Sequence, residues 1–172
     1  MIWITKAKAF MYRVNSINML NESLQLSSAH SIEISLRDLR EGKAGLDERR
    51  KKCLNRVPQT GSWANFEVNT LTTRDIAYLS AYIGHEFAIL RGKKNDILYH
   101  GTNRDCIFDD ELVPLLKNGK LRLYAHSHPD YSEIIPSNND RAFLKSIKQE
   151  SSIIVSWITG REQSFTSCLF DV

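Results

Sequence analysis

Five side chains in this sequence have the types and spacing to do chemistry together: Glu86, His126, His128, Ser137 and Asp140. His126 and His128 flank Ser127 in a His-Ser-His-Pro run. On an extended segment, side chains at i and i+2 leave the same face, so both imidazoles can grip one metal ion. A third ligand must come from elsewhere, and Asp140, at the start of a helical pattern, is a candidate. Three N/O ligands with one position left for water is the arrangement of a catalytic zinc, which brings the pKa of its water to about 7. An H-x-H pair alone is more often a product of chance or of core packing. Ser137-x-x-Asp140 also fits a capping box, with Ser at the N-cap and Asp at N3. The two readings are compatible, because a cap fixes the backbone while the carboxylate reaches a metal.

A hydrolytic metal also needs a general base. In the segment His85–Arg91, strand parity puts Glu86, Ala88 and Leu90 on one face. A carboxylate on an apolar face costs several kcal/mol unless it has a proton, a partner or a role. An exposed position at the strand end is the competing account of Glu86.

These residues need a scaffold, and the pattern from about Ser62 onward supplies one. Phe66 and Val68 suggest a short strand. Thr72 or Thr73 is placed as an N-cap for a helix carrying Ile76, Leu79, Ala81 and Ile83, and Gly84 is placed to end it. Strands at His85–Arg91 and Asp96–His100 flank a turn at Gly92-Lys93-Lys94-Asn95, which reads as a hairpin. A short helix follows at Glu111–Asn118, with Pro114 inside it, then a strand at Leu121–His126 and an amphipathic helix at Asn138–Glu150. Two strands, Ser152–Thr159 and Ser164–Phe170, close the chain. The expected fold class is α/β, a mixed sheet flanked by helices. Residues 1–60 read differently, as a helical arm or linker. They hold Asn-Ser-rich stretches, one helix at Ser31–Glu41 and a charged one at Leu46–Asn55, separated by Gly42 and Gly45. The expected division is thus 1–60 as the arm and 61–172 as the domain with the site.

Taken in order, Glu86, His126-Ser127-His128-Pro129 and Ser137-x-x-Asp140 resemble the signature of the JAMM metallopeptidases of the JAB/MPN superfamily, over residues 65–172. Glu86-x-x-x-Leu90-x-Gly92 is similar to the family's Glu strand, with Ala88 where the family has Gly. Between His128 and Ser137 stand eight residues rather than the family's seven, the extra one in a loop holding Asp130, Tyr131, Ser132 and Glu133. The resemblance implies a JAB/MPN, cytidine-deaminase-like layer arrangement. It implies zinc held by His126, His128 and Asp140, Glu86 taking the proton of the zinc's water, and Ser137 steadying the oxyanion. The substrate class implied is a protein or peptide, cut at a peptide bond or at an isopeptide bond to a ubiquitin-like tail or other tag. Tyr131 and Glu133 are candidates to line the cleft. A non-catalytic MPN-type interaction module is the alternative, as is an effector or processing module of a phage or polymorphic-toxin protein.

Composition narrows the rest. With 172 residues, 42% hydrophobic and 25% charged, the chain fits one ordinary domain and excludes collagen-like or wholly disordered classes. No apolar run nears the ~18 residues of a membrane span, and Lys6, Lys8 and Arg13 break up any signal-peptide core. Three scattered cysteines, Cys53, Cys106 and Cys168, fit a reducing compartment, so the expected location is cytoplasmic, or delivery within a larger assembly. The net charge of +3 is uneven: residues 1–56 carry 11 Lys/Arg against 6 Asp/Glu. Arg49-Arg50-Lys51-Lys52 is read as a solvated helix face rather than a nucleic-acid patch, so neither nucleic acid nor membrane is an expected partner.

Overall fold

A computed structural model describes residues 36–57, 59–129 and 134–168. Its elements are α1 (the described helical residues 36–40), α2 (Glu48–Arg56), β1 (Trp63–Glu67), α3 (Thr73–Ile83), β2 (Phe87–Gly92), β3 (Asn95–His100), α4 (Leu112–Lys117), β4 (Leu121–His128), α5 (Asn138–Ser146), β5 (Ser151–Ser156) and β6 (Glu162–Thr166). The six strands form one sheet in the order β1-β3-β2-β4-β5-β6. All pairs are antiparallel except β4–β5, the pair that α5 connects. The mixed α/β class expected from the sequence is therefore the observed one. The Asn-Ser-rich stretches before residue 29, the loop residues Asp130 to Glu133, and Phe170 lie outside the described residues.

The sheet has two cores. One face carries Phe87, Ile89, Leu98, Ala125 and Val155 beneath α1, α2 and α3. The other carries Ala88, Leu90, Leu121, Leu123, Ile154 and Phe165 beneath α4 and α5. Leu36, Leu39, Leu46, Cys53 and Val57 belong to the first core, so the described part of the 1–60 segment packs on the same sheet as the rest. Arg49 is exposed as expected, Arg50 is largely covered, and both help dock α2 on α3. Arg49 Nη2 donates to Asp75 Oδ2 at 2.7 Å, and the Arg50 guanidinium stacks over Tyr78 at 4.1 Å. Asp75 is fully buried because it also closes the capping box on Thr72. Lys51 and Lys52 do face solvent.

Local signals account for most element ends. Thr72 caps α3, and Gly84 at φ 78° ends it in the left-handed conformation. Pro114 sits in the first turn of α4, where a missing N–H costs nothing. Helix α5 stops at Ser146, short of the expected Glu150. Lys148 turns to φ 56°, and Gln149 leaves the helix to bridge the sheet. Its Oε1 accepts from Leu123 N at 2.9 Å, while its Nε2 donates to Leu123 O at 2.7 Å. That side chain satisfies a stretch of β4 that begins before its pairing with β5 does.

Candidate metal centre

A β-bulge decides which way the histidines point. Ala88 pairs with His126 and Ile89 with Ala125, but Leu90 pairs with Leu123, so Tyr124 is an extra residue in β4. Directly paired residues share a face, so His126 joins Ala88, Leu90 and Leu123 on the α4–α5 side. Without the extra residue, simple alternation would set His126 and His128 opposite Leu121 and Leu123. Ser127, between them, points to the other face and is fully buried. Its hydroxyl meets Ser80 Oγ of α3 at 2.6 Å and accepts from Phe87 N at 2.8 Å. The middle residue of the motif thus anchors the strand end to α3 and β2 while its neighbours face the site.

Asp140 arrives from the first turn of α5. Ser137 is the N-cap: its Oγ accepts from Asp140 N at 3.1 Å, and Asp140 Oδ2 accepts from both Ser137 N and Ser137 Oγ at 2.7 Å. Asp140 Oδ1 lies 3.2 Å from His126 Nε2, and Oδ2 lies 4.0 Å from His128 Nε2. One ligand atom from each of the three residues falls within 4.8 Å of the others, so the cluster could hold a metal ion. The cap and ligand readings of Ser137-x-x-Asp140 coexist in one geometry.

Burial tests the fit. Both ring nitrogens of His126 are buried without a hydrogen-bond partner, Nε2 being close to Asp140 but out of alignment for such a bond. A buried imidazole left so is costly, and a cation on Nε2 relieves that cost. Burial alone would raise the Asp140 carboxyl, but the adjacent His126 and the Ser137 hydrogen bonds outweigh it and hold the group well below the usual carboxylate range. Asp140 is therefore charged and ready as a ligand. Two imidazoles and one carboxylate suit a borderline divalent ion.

Glu86 stands just before β2, on the Ala88 face, and is 3% exposed. Its backbone is fixed by Glu86 N donating to Thr102 O at 2.7 Å and Gly101 N donating to Glu86 O at 2.8 Å. Burial, with smaller contributions from the charges of Asp140 and Asp105, pushes its carboxyl up to about 8. The exposed strand-end account of Glu86 does not describe this position.

No family model, no curated protein and no solved structure matches this chain. The site therefore rests on its own geometry. Gly101 is a position that sequence reasoning missed, and Ser127, read only as part of the His-Ser-His-Pro motif, has an anchoring role that it did not show. A Cβ on Gly101 would stand 2.5 Å from Asp105 O, 2.8 Å from Cys106 Sγ and 3.1 Å from Glu86 O, so the backbone beside Glu86 closes only around a glycine. Nothing in the local sequence marks it except the glycine itself. Tyr131 and Glu133 lie outside the described residues. Among the described residues no helix is long and apolar enough to cross a membrane.

Proposed function

We propose that this chain is a zinc-dependent hydrolase of peptide or isopeptide bonds. The observation that carries this reading is the convergence of His126, His128 and Asp140, with the buried Glu86 carboxyl near enough to Asp140 for the two charges to oppose each other. Zinc at such a site supplies Lewis acidity toward a carbonyl oxygen and makes water a nucleophile near neutral pH. The chain's own residues do the rest. His126 and His128 offer imidazole nitrogens from one strand face, and Asp140 offers a carboxylate already fixed by its cap. Glu86 is the acid–base group. With a cation alongside, which favours its carboxylate form, Glu86 would accept a proton from water, and its raised proton affinity would suit it to hold that proton for a leaving amine. Burial shields that proton from exchange with bulk solvent. The Ser137 hydroxyl spends its single hydrogen on Asp140 Oδ2, so any donation to an oxyanion requires that bond to open.

The test has two parts. Purified protein is analysed for zinc, and an isopeptide and peptide panel is incubated with wild type, Glu86→Gln and His128→Ala. The expected result is one zinc per chain in wild type and Glu86→Gln, cleavage by wild type alone, and neither zinc nor cleavage in His128→Ala. Wild-type rates in Glu86→Gln would overturn the acid–base role. Absence of stoichiometric zinc would overturn the site, and zinc without cleavage by any form would favour a non-catalytic module.

A further inference from the structure

Beside the metal centre lies a cleft of about 420 Å³ that includes the ligands His126 and Asp140 in its lining. A volume of a few hundred Å³ is enough to hold a small ligand or one large side chain. Most of the rest of its wall is apolar: Ile107, Phe108, Leu123, Ala142 and Phe143, with Cys106 beside them and Asn139 as an uncharged polar member. Asp105 supplies its other charge, and it is negative.

The wall is built in advance rather than formed by chance side chains. Phe108 packs edge-on against Tyr99 at 5.0 Å between ring centres and tilts against Phe143 at 5.3 Å. The Tyr99 hydroxyl donates to Ile107 O. Further along the loop, Trp63 Nε1 donates to Asp109 Oδ2 at 3.0 Å, and Asp109 Oδ1 accepts from Leu112 N at 2.9 Å. The loop from β3 to α4 is thereby clamped on both sides of the aromatic pair. Yet Ile107 remains 71% exposed at the rim, a large apolar side chain with no cover from the described residues. A clamped apolar wall, open at its rim and continuous with two metal ligands, is the geometry of a specificity pocket.

We infer that this cleft takes an aromatic or large aliphatic side chain next to the bond that is cut, so that the substrate class is a peptide with such a residue adjoining the scissile position. This rests on the metallopeptidase reading above. Acidic side chains are disfavoured by Asp105 and Asp140, and small ones leave the apolar wall in contact with water. Burial of one aromatic side chain corresponds to about a ten- to hundred-fold gain in affinity.

Two measurements separate the pocket from the metal. In the first, zinc-loaded protein is titrated with acetohydroxamate and with N-acetylphenylalanine hydroxamate. In the second, chelated, metal-free protein is titrated with N-acetylphenylalaninamide and N-acetylalaninamide while backbone amide NMR shifts are followed. Both are repeated with Ala142→Trp, which fills the mouth from an exposed position, and with Ile107→Asp, which makes the rim polar. The expected result is a tenfold or greater aromatic preference in wild type, lost in both variants with acetohydroxamate affinity retained. Saturable shifts at Phe108, Ala142 and Phe143 with the aromatic amide alone complete the pattern. Equal hydroxamate affinities in wild type, or an undiminished preference in both variants, overturns the pocket while leaving the metal site standing. Saturable shifts in metal-free protein that binds no zinc overturn the metallopeptidase reading while supporting the pocket.

Discussion

Replacing Glu86 with Gln keeps the shape of the side chain and removes its proton chemistry, and the consequence for folding can be worked out. In the metal-free protein the Glu86 carboxyl is pushed from 4.5 to about 8. An unfolded chain loses that proton near 4.5, whereas the folded chain holds it to about 8. Between those values the native state binds one more proton than the unfolded state, so stability falls as pH rises. Each unit corresponds to about 1.4 kcal/mol, so the window holds at most about 4–5 kcal/mol, with the slope flattening below pH 4.5 and above pH 8. Gln carries no titrating proton, and its own desolvation cost does not vary with pH. The difference in stability between Glu86→Gln and wild type should therefore grow in favour of the variant by about 1.4 kcal/mol per unit from pH 5.5 to 7.5. Urea unfolding in the presence of chelator, read by tryptophan fluorescence at a series of pH values, measures it. Contributions from other groups, such as His100, which burial pushes down, cancel in the comparison. A difference that does not change with pH would refute the assignment of a buried, protonated Glu86. Repeating the series with zinc adds a check, since a nearby cation favours the carboxylate and should shrink the slope.

Three further outcomes are expected. Ser127→Ala leaves Phe87 N and Ser80 Oγ short of a buried partner and should cost about 1–3 kcal/mol, read from the urea midpoint; an unchanged midpoint would contradict the anchoring role. Gly101→Ala forces the backbone beside Glu86 and Cys106 apart, with an expected loss of about 1–3 kcal/mol by thermal unfolding, and a neutral result would show that the close approach is relaxed in solution. Zinc at 100 times its dissociation constant should stabilise wild type by about 2.7 kcal/mol in calorimetry, and the gain should vanish in His128→Ala.

The parts of this protein that were legible in the sequence are those governed by neighbours along the chain. Thr72 and Ser137 as caps, Gly84 as a helix stop and the Gly92–Asn95 turn all act within a few residues, and all stand where expected. The parts that were not legible depend on partners far away. The bulge at Tyr124 follows from pairing between β2 and β4, and no pattern within Leu121–His128 announces it. The early stop of α5 reflects Gln149 bonding to Leu123, a partner 26 residues earlier. Arg50 read as solvated because its partners, Asp75 and Tyr78, belong to another helix. His126, His128 and Asp140 stood out by residue type and spacing along the chain, and the fold brings one ligand atom from each within 4.8 Å of the others. The anchoring role of Ser127 and the position of Gly101 were missed because their contacts lie on the opposite face of the sheet and in a loop.

The capping box on α5 has a consequence for how a ligand would be sensed. Asp140 Oδ2 accepts from Ser137 N and Ser137 Oγ, so the carboxylate has already lost its rotational freedom when the helix forms, and a cation has little left to immobilise. Reciprocity follows from linkage: whatever folding of this first turn contributes to ion affinity, an ion must return as resistance of the turn to fraying. Amide hydrogen exchange at residues 138–141 would then report occupancy of the candidate site without any substrate, and the head of α5 would serve as a gauge of whether an ion is bound there.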